Sequence, residues 1–156
     1  MKASQLRRLL LVMCGVGLLF SIYAGIEVVD PGAQSVCSVS STVSCAAVAS
    51  SGHTNLGPIP DWLIGLAGFV VLLAFAILYF QTRDRAYLQV LIALSSLALL
   101  ISAYLAYVEV GVIHAICPVC VGAYLSNVAV WAIAVALWRR RKTSPAPSKP
   151  STPAGA

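Results

Sequence analysis

Charge is what this sequence has least of. Of its 156 residues, 10% are Asp, Glu, Lys or Arg and 60% are apolar, whereas an ordinary soluble domain is about a quarter charged and about half apolar. A water-soluble domain of this length has too little interior to hide so much apolar surface. Disorder of the whole chain is excluded too, because it needs the opposite composition. Four stretches lack charge altogether, at about residues 9–26, 62–80, 88–108 and 116–138. Each is close to the ~20 residues that carry a helix across a ~30 Å hydrocarbon core. None shows the period-2 alternation of a barrel strand, and a helix satisfies its own backbone in lipid. The expectation is an all-α membrane protein, a single four-transmembrane-helix bundle over residues 1–142.

Cations are missing from one side of this bundle. Lys2, Arg7, Arg8, Arg83, Arg85, Arg139, Arg140, Arg141, Lys142 and Lys149 all fall on the side that holds both termini. The positive-inside rule makes that side cytoplasmic. The net charge of +5 is then a topological signal, and no nucleic-acid partner is expected. The other side carries Glu27, Asp30, Asp61 and Glu109. These are read as solvated boundary charges, except that Asp61 is suited to capping the helix before Trp62. Span one has the basic start and apolar core of a signal peptide. Tyr23-Ala24-Gly25 is a poor cleavage site, so the span is read as retained.

An outer loop of about 35 residues runs from Glu27 to Asp61 and is rich in Ser, Gly, Pro and Ala. Loops of this length are usually functional or disordered. Its middle, Ser41–Ser51, has no Pro or Gly and is expected to hold a short surface helix. Residues 143–156 are rich in Pro, Ser and Ala and read as a disordered cytoplasmic tail.

Of five cysteines, Cys14 lies within span one and reads as a small packed side chain. The other four, Cys37, Cys45, Cys117 and Cys120, all fall on the outer side, where disulfides persist. In Cys117-Pro118-Val119-Cys120, the proline suits the first turn of a helix. Cys117 then sits near the N-cap and Cys120 in the first turn, where free N–H groups and the helix dipole favour a thiolate. From Pro118 to Trp138 is 21 residues, or about 31 Å at 1.5 Å each, so the pair lies at the outer mouth. Cys37 and Cys45 sit on the loop, which can carry one sulfur toward water and the other toward the second pair. A rigid pair and a mobile pair on one side suggest a relay from a soluble dithiol. No nucleotide or haem motif is present to take the electrons, which leaves a lipid-soluble quinone meeting Cys120 between the helices.

Two other readings compete for these cysteines. One is a scaffold with two static disulfides. The other is zinc, with His53 or His114 as further ligands, but the seven-residue gap is loose for structural zinc and no metal is expected. Tyr124 and Asn127 share a helix face with Cys120, and polar groups within a span face the bundle interior. Tyr124 suits either a hydrogen bond to a quinone carbonyl or a place in the interfacial aromatic belt. Gly15, Gly17, Gly65 and Gly68 read as close-packing positions, and Phe69, Tyr104 and Tyr107 as packing residues.

Four spans, a Cys-x7-Cys loop pair and a CxxC followed four residues later by Tyr124 resemble the vitamin K epoxide reductase (VKOR) family, over roughly residues 5–140. In the DsbB-type oxidases the CxxC lies in the first outer loop and the spaced pair in the second, the reverse of this order. The resemblance implies that Cys45 exchanges with Cys117, that Cys37 meets the partner dithiol, and that Cys120 faces the quinone. It implies further that Ser51 and Tyr124 lie at the quinone pocket, with Asn55 or His53 as a hydrogen-bonding residue there. The implied protein is a bacterial-type homologue without a fused thioredoxin-like domain, in the cytoplasmic (inner) membrane with its active cysteines on the periplasmic side. Its implied partners are a separate DsbA-like thioredoxin-fold protein and a quinone of the ubiquinone, menaquinone or vitamin K type. In vertebrate relatives the same relay reduces vitamin K epoxide, which is the alternative activity.

Overall fold

An apolar run in lipid has no hydrogen-bonding partner for its backbone except itself, and each charge-free stretch folds as one long helix. The computed structural model describes residues 3–30, 37–38, 40, 42–51 and 59–143. Among them α1 spans Ala3–Val29, α2 Cys45–Ser50, α3 Asp61–Thr82, α4 Arg85–Val108 and α5 Pro118–Thr143. Glu109–Ile113 prolongs α4 by a single, wider π-turn. Among the described residues, four helices are long and apolar enough to cross a membrane: Ser4–Val29, Asp61–Thr82, Arg85–Ile113 and Pro118–Arg140. The protein is therefore an all-α, multi-pass membrane bundle. Of the expected tail, residues 143–156, Thr143 still belongs to α5 and residues 144–156 lie outside the described residues. The last helix begins two residues later than its apolar run, because Ile116 pairs with Val43 in a β-bridge and Pro118 opens the helix.

Tight connections make neighbouring helices antiparallel. Between α3 and α4, Arg83 adopts the left-handed conformation (φ 56°) and returns its N–H to Tyr79 O, while Asp84 caps α4 by accepting from the Ala86 N–H at 3.0 Å. Between α4 and α5, His114 (φ 56°) closes the π-turn, its N–H returning to Glu109 O. α1 packs on α3 and α5, and α4 packs on the same two helices. The four spans thus form a four-sided bundle in chain order.

The basic end is the solid end. Leu6, Leu10 and Cys14 of α1 interlock there with Leu72, Ala76 and Tyr79 of α3, Leu88 and Leu91 of α4, and Val130, Ala134 and Leu137 of α5. Cys14 is fully buried in this core, as expected of a packed thiol. The Arg7 guanidinium lies 5.7 Å from the centre of the Phe80 ring, tying the start of α1 to the end of α3. Large apolar side chains such as Leu19 and Leu100 point outward, which suits helices that face acyl chains. Tyr104 and Tyr107 are exposed in the same way. They belong to the lipid-facing surface rather than to the packing expected of them.

A second cluster closes the opposite end, where Cys37, Cys45 and Val48 pack against Ala115, Cys117 and Val119. The short helix α2 thus caps the bundle mouth. Between the two clusters lies a cavity of about 570 Å³.

Two of the four glycines expected at close contacts are there. Gly17 receives the Phe69 ring and Gly65 faces the Ser21 hydroxyl, whereas Gly15 and Gly68 have open space in front of them. Gly17→Leu should therefore overpack the α1–α3 contact at a cost of about 1–3 kcal/mol. A thermal melt in detergent should show a midpoint several degrees lower for Gly17→Leu and an unchanged one for Gly15→Leu.

Candidate active site

Two backbone hydrogen bonds join the outer loop to the start of α5. The Ile116 N–H donates to Thr42 O at 2.9 Å, and the Ser44 N–H donates to Ile116 O at 3.1 Å. The residue after Ser44 is Cys45, and the residue after Ile116 is Cys117. Ser44 also caps α2, its Oγ accepting from the Ala47 N–H at 3.1 Å and donating to Ser38 Oγ at 3.2 Å. The Ala46 N–H reaches the same Ser38 oxygen at 3.4 Å. Cys45 is thereby held as the first residue of α2.

The outcome is a file of sulfurs. Cys45 is disulfide-bonded to Cys37, and Cys117 Sγ lies 3.2 Å from Cys45 Sγ. All three sulfurs fall within 4.8 Å of one another. Cys117 and Cys120 are free thiols. The Cys120 N–H donates to Cys117 Sγ at 3.2 Å, so this sulfur occupies the place of a capping oxygen at the helix start. A thiol in contact with a disulfide is the arrangement for thiol–disulfide exchange, in which a thiolate displaces one sulfur of the pair. The same proximity would suit a metal, but a disulfide has already consumed two of the three sulfurs as thiolate ligands.

Cys37 and Cys45 are both buried, at 6% and 4% exposure. The loop in this state turns neither sulfur toward water, contrary to the expectation for Cys37.

Beneath the sulfurs lies a carboxyl group that the sequence reading misplaced. Glu109 and Glu27 were expected at the solvated boundary, yet they are 2% and 3% exposed, and only Asp30 of that set is open to solvent. Glu109 Oε2 accepts from the Cys117 N–H at 3.2 Å, and Oε1 accepts from the Tyr124 hydroxyl at 2.7 Å. The π-turn that begins at Glu109 changes the helical phase and brings the side chain under the start of α5; such turns recur at functional sites. The one available sequence signal was an acid at the end of an apolar run, eight residues before Cys117. Asp61 also differs from expectation. Pro60 occupies the cap position of α3, and Asp61 lies in the first turn, its Oδ1 accepting from the Trp62 N–H at 2.7 Å.

The cavity opens beside these groups. Apolar side chains of α3 and α4 line most of it, including Leu63, Leu72, Leu97 and Ile101, while Asp61, Cys120, Tyr124 and Asn127 supply polarity. Asn127 is 3% exposed, and neither its Oδ1 nor its Nδ2 has a hydrogen-bond partner. Ligand cavities typically measure about 300–1,000 Å³, mostly apolar with a few placed polar groups. A thiol, a hydroxyl and an unpartnered amide beside an apolar sleeve fit a flat ring that carries carbonyl oxygens and an apolar tail.

The four outer cysteines expected at the site therefore do gather there. Tyr124 joins them through Glu109, which takes up its hydroxyl hydrogen, and the residue also lines the cavity. Ser51 ends α2, donates to Val48 O at 2.8 Å, and is not among the described residues that line the cavity. Asn55 and His53 lie outside the described residues. In comparison with known families, the model of the Vitamin K epoxide reductase family matches residues 8–135, a stretch that includes all four of these cysteines, Glu109 and Tyr124.

Removing the carboxyl group should leave the Cys117 N–H and the Tyr124 O–H buried without an acceptor, at about 1–3 kcal/mol each. Glu109→Leu is expected to lower the thermal midpoint in detergent clearly. Glu109→Gln keeps an acceptor oxygen and should melt close to the unmodified protein.

Proposed function

This chain belongs to the vitamin K epoxide reductase family, a family of membrane oxidoreductases, and from that premise we propose that it carries electrons from an extracytoplasmic dithiol protein to a membrane quinone. The observation that carries the proposal is the 3.2 Å contact of Cys117 Sγ with Cys45 Sγ, itself bonded to Cys37. The dithiol donor is a DsbA-like thioredoxin-fold protein, the membrane is the bacterial inner membrane, and the four cysteines work on its periplasmic side with both termini in the cytoplasm. The net result is disulfide formation in the donor and its substrates. Static disulfides suit the site less well, because two thiols stand free beside the bonded pair.

The relay balances as a chain of exchanges. A donor thiolate attacks Cys37, and Cys45 leaves as a thiolate; the second donor thiol then resolves the mixed disulfide, leaving the donor oxidised and Cys37 and Cys45 reduced. The Cys45 thiolate next attacks Cys117 of a Cys117–Cys120 disulfide and expels Cys120. Cys37 then attacks Cys45, reforms the Cys37–Cys45 disulfide and releases Cys117. The structure has the bonding pattern of this last state: loop pair oxidised, CxxC reduced. A quinone of the ubiquinone, menaquinone or vitamin K type in the cavity supplies the two-electron, two-proton acceptor that returns Cys117 and Cys120 to the disulfide. Glu109, hydrogen-bonded to the Cys117 N–H and to the Tyr124 hydroxyl, takes the Cys120 proton and passes it through the Tyr124 hydroxyl to the cavity.

Cysteine mapping by mass spectrometry under non-reducing conditions tests the relay. Cys120→Ala should shift the bonding toward Cys45–Cys117, freeing Cys37, and should abolish quinone-dependent oxidation of a thioredoxin-fold dithiol. An unchanged Cys37–Cys45 bond together with retained oxidation would sink the reading. A separate prediction concerns the proton path. Glu109→Gln should slow quinone reduction roughly a hundredfold, the scale of a lost proton-transfer group. Exchange between Cys45 and Cys117, followed by the same mapping, should proceed at an undiminished rate.

A further inference from the structure

One cavity group has no task in the relay. Asn127 is 97% buried, lines the cavity beside Cys120 and Tyr124, and leaves both its amide oxygen and its amide nitrogen unpartnered. Native structures seldom bury a polar side chain unsatisfied, and when they do the group calls for a partner. The buried serines on the same and neighbouring helices are satisfied locally. Ser126 donates to Gly122 O at 2.8 Å, Ser95 to Leu91 O at 2.6 Å and Ser21 to Gly17 O at 3.1 Å. Asn127 reaches no such carbonyl.

We propose that Asn127 is the hydrogen-bonding anchor of the quinone ring, gripping one ring oxygen in both redox forms. This rests on the quinone reading above. The Tyr124 hydrogen is engaged with Glu109, so Tyr124 has no hydrogen left for a ring carbonyl, whereas Asn127 Nδ2 offers donors to one. Once the ring has taken up two electrons and two protons, its oxygens carry hydrogens, and Asn127 Oδ1 can accept from one of them. An uncharged amide serves both redox forms without changing its own protonation. A carboxylate would offer no donor to the oxidised ring, and an aliphatic side chain would offer nothing to either form.

The test is binding rather than turnover. Purified full-length protein is titrated in detergent with a short-tailed benzoquinone and a short-tailed naphthoquinone, with quenching of tryptophan fluorescence as the readout; Trp62 lines the cavity. Thermal midpoints are measured without quinone in parallel. Asn127→Leu should raise the quinone Kd about tenfold or more, the scale of one lost hydrogen bond with its partner left unsatisfied. The same variant without quinone should melt no lower than the unmodified protein, since it has shed an unpaired buried amide. A merely structural amide predicts the reverse: a lower midpoint with unchanged affinity. Asn127→Gln, which keeps the amide, should recover part of the affinity. If Asn127→Leu does not fold, Asn127→Ser takes its place with the same expected loss. Equal affinity in the unmodified protein and the folded variant overturns the role of Asn127 alone. An unmodified protein that binds neither quinone overturns the acceptor reading along with it.

Discussion

The site depends on a pair of backbone hydrogen bonds. An outer loop of more than thirty residues, rich in small polar side chains, has little of its own to hold a cysteine in place. The bridge that joins Thr42 and Ser44 to Ile116 supplies what is missing. Each strand-like segment ends on the residue just before a cysteine, so one short bridge sets the separation of two sulfurs that lie 72 positions apart in the chain. Side chains alternate along extended backbone, so a register slip of one residue would turn Cys45 to the opposite face. Ser44 reinforces the register by capping α2 directly behind the bridge. The contact between the sulfurs is thus a property of the backbone, while the exchange chemistry belongs to the side chains.

Beneath that bridge the fold does something costly, since it buries a carboxyl group. Burying such a group is tolerable only with hydrogen-bonding partners, and Glu109 has a backbone N–H at the start of α5 and a phenolic hydroxyl one turn below Cys120. It therefore links the three parts of the site, namely the thiol pair, the tyrosine and the cavity. The π-turn is the backbone's contribution. A continuous α-helix would keep Glu109 in phase with the preceding turns of α4, and the wider turn changes that phase.

Much of this was legible in the residues. Charge-free runs mark the spans, and Pro118 marks the start of the last helix. These features are local, and each has a direct physical cause. What escaped was phase and reach. An acid at the end of an apolar run looks the same whether it faces water or the bundle, and the irregular turn that decides the matter for Glu109 has no clear sequence signature. Cys37 looked like the exposed half of a mobile pair, yet its exposure depends on how the loop folds over the mouth. Gly15 and Gly17 are identical residues two positions apart, but helical geometry gives one of them Phe69 and the other open space. The family resemblance placed Ser51 at the pocket, and among the described contacts its hydroxyl donates to Val48 O at the end of α2.

Small side chains help to open the cavity among larger ones. On α3 its wall includes Gly65, Ala67 and Gly68 beside Leu63, Phe69 and Leu72, on α4 it includes Ala98 beside Leu97 and Ile101, and on α5 it includes Ala123. Near the basic end Tyr79, Leu88, Leu91, Val130 and Leu137 fill the core instead. The solid end holds the bundle together, and the cavity is where a thiol, a hydroxyl and an unpartnered amide meet an apolar space. Stability and chemistry are thereby divided along the membrane normal, so that substitutions in the solid core should act on folding and those at the cavity on the site.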